Sequence, residues 1–224
     1  MPTKRKRDNL ERKLIEASIN NNLGTIAFLI ANGVDANARD HKGMTALHHQ
    51  TEQNNVEGVR FLVGEDRQAT GRYGIMYKTA ALDKNISNEF ALNVSCVNLA
   101  DDNGNRPIHI AALNDNKEII GILAAHGADI NARNDTEKTA LHYAAWYGCM
   151  HAVAEIIRLG ADIDAKDRDG MAPIHYAANN NQIDAARYLR KHRADILSAN
   201  NTGNTPFELA LWQGYNRMAK ILRQ

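Results

Sequence analysis

A segment that recurs at a constant interval constrains this chain more than any other feature of its sequence. The segment 101–112 reads DDNGNRPIHIAA, and similar segments stand at 134–145 (NDTEKTALHYAA) and 167–178 (DRDGMAPIHYAA). The interval is therefore 33 in both steps (134 − 101 and 167 − 134), and each copy has a histidine and a pair of alanines at the same positions. Regular self-similarity of this length predicts a repeat protein, in which each repeat buries its apolar face against its neighbours.

Partial copies extend the pattern in both directions. Asn200 opens a shortened copy that contains GNTPFELA, and Asp40 opens a copy that contains KGMTALH. The segment 33–37 reads GVDAN, and it matches GADIN at 127–131 and GADID at 160–164, where two of the regular copies end. We therefore predict repeats at 8–39, 40–67, 101–133, 134–166 and 167–199 and a capping repeat at 200–224, all within a single domain over 8–224.

These recurring segments resemble the ankyrin repeat. Its pattern is a glycine turn, a Thr-Pro-Leu-His-x-Ala-Ala helix start, a second helix and a Gly-Ala-Asp-x-Asn exit. The resemblance covers nearly the whole chain after its basic start. It implies an all-α solenoid of stacked helix-turn-helix units with projecting β-hairpin loops, about seven units in all, of which the third is degenerate.

Capping residues predict where the first helix of each repeat begins. A threonine hydroxyl can accept a hydrogen bond from a free N–H at the helix start, and proline is tolerated at the next position. The residues in question are Thr45, Thr139 and Thr205, and Pro107, Pro173 and Pro206. Arg106 and Ala172 depart from the capping pattern, and Glu137 replaces the turn glycine.

The stretch between Asp40 and Asp101 is nearly twice as long as one repeat and has two interpretations. Counting back one further interval from Asp101 defines a degenerate repeat over 68–100, which places Ile75, Ile86 and Phe90 at core positions. The alternative is an insertion loop in a stack of six repeats, since long irregular segments often carry function. We prefer the degenerate repeat, because its apolar matches include both helices.

Charge and composition exclude several classes of function. Lys and Arg total 27 against 26 Asp and Glu, a formal net charge of +1, which predicts no nucleic-acid binding. No apolar run reaches the ~20 residues of a membrane span, so we expect no membrane insertion. The two cysteines, Cys96 and Cys149, suit a reducing compartment. Residues 1–7 contain the cluster Lys4, Arg5, Lys6 and Arg7, interpreted as a flexible tail, with a nuclear-import signal as the alternative.

The histidines invite a metal or catalytic interpretation, which their spacing opposes. His48, His109, His142 and His175 fall one to a repeat, and packed helices lie about 8–10 Å apart, too far to share one ion. The resemblance implies a structural role for them instead. We predict no metal, no cofactor and no enzymatic activity.

Positions whose side chains are not needed for folding of the repeat predict the binding surface. In ankyrin proteins the turn tips and first helices form a concave face, and aromatic residues on such a face are typical of binding hot spots. The predicted protein-binding residues are Trp146, Tyr147, Leu113, Asn114, Asn103, Asn105, Lys138, Met171, Tyr143 and Tyr176. The resemblance also implies possible hydroxylation of the exit asparagines Asn37, Asn98 and Asn131.

The resulting functional prediction is a non-catalytic scaffold that binds a protein partner on the concave face. We expect it to be a monomer. The alternative is a bacterial or viral effector or inhibitor that engages a host protein through the irregular segment 64–100. We expect a cytoplasmic protein, with a nuclear location if the basic cluster is an import signal, or the host cytosol if it is a secreted effector.

Overall fold

The computed structural model describes residues 4–65 and 96–223, with side chains from residue 7 onward. Contacts divide the chain into two compact units, Met1–Asp102 and Asn103–Gln224. A single continuous domain over 8–224 stays a prediction, and so does the exact number of repeats.

Helices in consecutive pairs build both compact units. In the first, the described helices are α1 (Lys4–Ile19), α2 (Leu23–Ala31), α3 (Ala46–Glu52) and α4 (Val56–Val63). In the second they are α5 (Pro107–Leu113), α6 (Lys117–Ala125), α7 (Ala140–Tyr147), α8 (Met150–Arg158), α9 (Pro173–Asn179), α10 (Ile183–Lys191), α11 (Pro206–Trp212) and α12 (Asn216–Leu222). The described residues contain no strand, which confirms the all-α class.

Small residues in the first helices and large ones in the second form the core. Ala144 and Ala145 in α7 are fully buried, as are Ile119, Ile120 and Leu123 in α6. First helices of successive repeats pack directly on one another, α5 on α7 and α7 on α9. Alanine pairs permit this close approach, and burial of the larger side chains supplies about 1.5–3 kcal/mol each.

Asparagines cap several of the second helices. Asn22, Asn55 and Asn116 each precede a second helix and accept a hydrogen bond from the backbone N–H three residues later. Such a cap stabilises a helix by about 1 kcal/mol, so the second helices of these repeats have a defined beginning.

The predicted hairpin loops are short turns without strands. In four of them the first residue of the repeat bonds across the turn, as Asp167 does when its N–H donates to the Met171 carbonyl at 3.0 Å. The one β-bridge in the described part of the chain joins Arg39 and Thr45. Successive turns also bond to each other, since Asp135 N–H donates to Asn103 O.

The first residues of the chain differ from the prediction. We expected a flexible tail over 1–7, but α1 already begins at Lys4. The side chains of Arg7 and Glu11 form an ion pair of 3.1 Å one helical turn apart, and pairs at this spacing stabilise a helix. An exposed pair of this kind contributes only about 0.2–0.5 kcal/mol, so it is one small contribution to a helix that includes the basic cluster.

Most of the predicted third repeat, 68–100, lies outside the described residues, as does most of the segment 64–100 assigned to the effector alternative. The residues that flank it nevertheless show the register of the chain. Arg39 donates to Ala100 O across 61 positions, whereas Arg133 makes the corresponding bond to Lys166 O across 33. Cys96 N–H donates to the Asn37 amide oxygen across 59 positions, and Asp162 N–H to that of Asn131 across 31.

The two separations around this segment exceed their regular counterparts by the same amount, since 61 − 33 equals 59 − 31. The N–H of Asp102 also donates to Lys42 O at 2.9 Å, the bond that joins turns of consecutive repeats elsewhere. These contacts match those between consecutive repeats elsewhere, while the choice between an insertion and the degenerate repeat that we preferred from the sequence stays a prediction.

Candidate protein-interaction surface

The first helices of the second compact unit end in a row of equivalent positions. Leu113, Trp146, Asn179 and Trp212 follow one another at the repeat interval, one at the end of each first helix. We call these four residues, with their neighbours Tyr147 and Leu211, the first-helix row. Trp212 is 74% exposed, Tyr147 57%, Leu211 46% and Leu113 38%.

Trp146 lies within a stack of aromatic rings. Its ring is nearly parallel to that of Tyr147, with centroids 5.8 Å apart, and to that of Tyr176 in the next repeat, at 4.9 Å. Offset stacking of this kind contributes about 0.5–1.5 kcal/mol per pair beyond the buried area. Trp146 is therefore only half-exposed and holds Tyr147 in place, while Tyr147 presents the larger free surface.

Tyr176 belongs to the interior, which corrects its assignment to the binding surface. The residue is 7% exposed, and its hydroxyl donates to Oδ2 of Asp167 at 2.6 Å. Burial raises the pKa of the Tyr176 phenol well above its ordinary value, and the Asp167 carboxylate raises it further. Tyr176 therefore remains a neutral donor.

Lys138 is also committed to this buried cluster. Its ammonium lies 3.3 Å from the Asp167 carboxylate, and only 12% of its side chain is exposed. Burial raises the pKa of Asp167, but the bonds from Tyr176, the Met171 N–H and Lys138 outweigh it and keep that pKa below its ordinary value. The carboxylate is thus ionised and fully paired, so Lys138 is not a free cation for a partner.

Tyr143 repeats this arrangement one repeat earlier. The amide nitrogen of Asn134 donates to the Tyr143 hydroxyl at 2.8 Å and to Oδ1 of Asn105 at 2.9 Å. Tyr143 and Asn105 are therefore half-buried parts of the junction between two turns, whereas Asn103, at a turn tip, is exposed.

The remaining predicted residues divide between the row and the turns. Asn114 is half-buried at the end of α5. Met171 is half-buried, with its Sδ 3.2 Å from the Asn200 amide nitrogen. The structure therefore brings Leu113, Trp146 and Tyr147 to one exposed row and places Lys138, Tyr143 and Tyr176 beneath the turns.

The periodic histidines join neighbouring segments through both ring nitrogens. In His142, Nδ1 accepts the backbone N–H of Thr139 at 3.0 Å, so Nε2 carries the proton and donates to Met171 O at 3.0 Å. His109 does the same between Arg106 N–H and Ala132 O. Burial lowers the pKa of both His109 and His142 to about 4, since a protonated ring would lose its acceptor nitrogen and be charged in the interior.

No group of histidines, cysteines or carboxylates in residues 4–65 and 96–223 is arranged to hold a metal ion. Burial raises the pKa of the Cys149 thiol, and its Sγ lies 3.5 Å from Leu113 O. In the same described ranges, no helix is long and apolar enough to cross a membrane.

Asn37 and Asn131, two of the exit asparagines, accept backbone hydrogen bonds. The amide oxygens of Asn37 and Asn131 accept the Cys96 N–H at 2.7 Å and the Asp162 N–H at 2.8 Å, while Asn98 is exposed. These bonds join the exits of neighbouring repeats, and hydroxylation of the three asparagines stays a prediction.

The family model for ankyrin repeats (3 copies) matches the chain at 14–134, 78–167 and 147–224. The chain therefore belongs to the ankyrin-repeat family, whose members are generally protein–protein interaction modules. A search of the curated proteins found no match to the chain.

Sequence reasoning ranked Trp212 below Trp146, because a terminal repeat is expected to use its apolar residues to cap the stack, and it missed Leu211. The signal was present, since Trp212 stands two repeats after Trp146, at the same position of its helix. Sequence reasoning also missed the partners of the tyrosines, Asn134 and Asp167, each nine residues before its tyrosine.

Proposed function

We propose that this chain is a non-catalytic scaffold that binds a protein partner through the first-helix row of its second compact unit. The observation that carries the proposal is the exposure of Leu113, Tyr147, Leu211 and Trp212 at the ends of three of the four first helices in this unit. A folded protein gains nothing from such exposure in isolation, and large apolar side chains grouped on one surface are typical of interaction sites.

The rigidity of the row supports this function. Tyr147 stacks on Trp146, which in turn stacks on Tyr176, and Tyr176 is bonded to the buried Asp167. An aromatic side chain held in this way loses little conformational entropy when a partner covers it. At the other end of the row, the Gln213 amide donates to Oδ1 of Asn179 at 3.0 Å and joins two neighbouring first helices.

The partner that fits this row presents apolar side chains along an extended stretch of its surface. Polar groups at its edge would meet the exposed turn tips, where Asn103 and Asp135 lie. Such an arrangement of an apolar centre and a polar rim is usual in protein interfaces.

A capture experiment with the full chain tests the proposal. The double variant Tyr147→Ser/Trp212→Ser removes the two most exposed side chains of the row, and Phe28→Ser, at a 58% exposed position of α2, is the matched control. Proteins captured from a cell extract by the wild type and by the control, but lost by the double variant, would support the row as the binding site. Equal capture by all three, with circular dichroism confirming that each is folded, would contradict it.

A further inference from the structure

Seven exposed cations cluster on the last two second helices and the residues that follow them. α10 carries Arg187, Arg190 and Lys191, and α12 carries Arg217 and Lys220, with Arg193 and Arg223 just beyond the helix ends; all seven are exposed. We call these seven residues the basic surface. The chain as a whole has a net charge of only +1, so this local excess is a feature of its last two repeats.

Acidic residues do not neutralise the basic surface. In α8, the preceding second helix, Arg158 is paired with Glu155 at 2.6 Å, but within the described residues no salt bridge involves any of the seven cations. Two nearby acids have other roles, since Asp195 accepts the N–H groups of Leu197 and Ser198, and Glu208 accepts the N–H and hydroxyl of Thr205. A third, Asp184 in the first turn of α10, is exposed and offsets one of the seven charges at most. Cations in the last turn of a helix are stabilised by the partial negative charge of the helix C-terminus. Their charged groups nevertheless remain exposed to solvent and can bind a ligand.

An apolar groove adjoins the basic surface. It has a volume of about 560 Å³ and is lined by Ile196, Leu197, Thr205, Phe207, Leu222 and Arg223. Arg223 belongs to both features, and Arg190 donates to the carbonyl of Ile221, next to Leu222. Leu197 is 58% exposed at the rim, whereas Leu222 is buried below it.

We propose that this groove and the basic surface together bind an acidic peptide segment that carries a large apolar side chain. Arginine forks pair with carboxylates through two parallel hydrogen bonds, and the groove has the size of a site for an apolar anchor. The sugar–phosphate backbone of a nucleic acid has no apolar group to fill it, and a membrane surface selects protruding rather than recessed apolar residues. This second surface does not depend on the first-helix row.

The test uses the full chain and a short fluorescent peptide with glutamates on both sides of a Leu-Phe pair. Two comparison peptides replace the glutamates by glutamines, or the Leu-Phe pair by serines. We expect anisotropy to show saturable binding of the first peptide and at least about tenfold weaker binding of each comparison peptide.

Matched variants assign the site. Lys191→Gln/Lys220→Gln/Arg223→Gln should weaken binding about tenfold, and Leu197→Ser about fivefold. The controls Arg12→Gln/Lys13→Gln/Lys117→Gln, which remove the same charge elsewhere, and Ile19→Ser, at a similarly exposed aliphatic residue outside both proposed surfaces, should leave it unchanged. Equal losses in variants and controls would overturn the site. Duplex DNA of mixed sequence and phosphatidylserine vesicles are tested in the same way. If either binds more tightly than the first peptide, and the charge variant loses that binding, the ligand of this site is a nucleic acid or a membrane and not a peptide.

Discussion

The hydroxyl of Tyr176 donates a hydrogen bond of 2.6 Å to the buried carboxylate of Asp167, nine residues earlier in the chain. The same spacing joins Asn134 to Tyr143 and, in the first compact unit, Asp40 to His49 at 3.1 Å. In each pair a polar residue that opens the turn bonds to a ring on the first helix, and so ties the turn to the helix that follows it.

Removal of the Tyr176 hydroxyl should destabilise the fold. Because hydrogen bonds to ionised groups are the stronger ones, we expect Tyr176→Phe to lower the free energy of unfolding by about 1–2 kcal/mol. Urea denaturation at neutral pH measures the change. Tyr188→Phe is the matched control, since that ring stacks on His192 and no contact of its hydroxyl is seen in the described residues. Equal losses in the two variants would show that the bond to Asp167 contributes nothing.

The buried histidines should make stability fall with acid. His109 and His142 have pKa values of about 4 in the fold and about 6.5 in the unfolded chain. The unfolded state therefore takes up protons first as the pH falls below 6.5, and the stabilisation is lost progressively until about pH 4. We expect a loss of about 2 kcal/mol per histidine between pH 7 and pH 5.

Urea denaturation at the two pH values measures this loss. His142→Gln, which cannot take up the proton, should show a smaller difference between pH 7 and pH 5, while His41→Gln, on an exposed turn, should match the wild type. An unchanged difference in His142→Gln would contradict the assignment.

Two turn glycines should respond differently to alanine. Gly170 (φ 73°) and Gly203 (φ 83°) occupy the same position in successive turns, and both would strain an alanine by about 1 kcal/mol. A Cβ at Gly170 would also lie 2.8 Å from the backbone nitrogen of Asn201 in the next turn, whereas nothing lies within 4 Å of one at Gly203. We expect Gly170→Ala to cost about 1–2 kcal/mol more than Gly203→Ala, measured by urea denaturation. A similar cost at both sites would mean that the turns can shift apart freely.

Glu137 occupies the corresponding position one turn earlier and should be improved by glycine. It has φ 63°, a conformation that costs a non-glycine residue about 1 kcal/mol. Glu137→Gly should therefore raise the free energy of unfolding by about 0.5–1 kcal/mol, seen as a higher thermal midpoint. Glu137→Ala removes the same carboxylate and its exposed 3.9 Å contact with Arg133 but keeps the strain, so a gain in both variants would assign the effect to charge instead.

The helix pairs could be predicted from the sequence because their signals are local. A capping residue, a histidine three positions later and an alanine pair recur with a single period, and each position determines the start or the packing of one helix. At the first residues we predicted a flexible tail, whereas α1 begins at Lys4 and contains the Arg7–Glu11 pair. The recurring capping pattern does not mark the start of this helix.

The surface could be predicted only in part, because exposure depends on the neighbouring repeat. Tyr147 and Tyr176 are both aromatic residues of first helices, yet Tyr147 lies at the exposed end of its helix and Tyr176 beneath the turn that begins at Asp167. The period also left the register around 68–100 open, since counting residues cannot tell a degenerate repeat from an insertion. The bond from Arg39 to Ala100 shows only which residues the chain brings together on either side of this segment, and the choice stays a prediction.

Two hydrogen bonds, one donated by the Cys96 N–H to Asn37 and one by Arg39 to Ala100 O, have a practical meaning for protein engineering. They connect the residues just before Asp40 with residues 96 and 100, on the far side of the long stretch that follows Gly64. A change in the length of the chain between Gly64 and Cys96 therefore has to preserve these two bonds, which lie within the first compact unit.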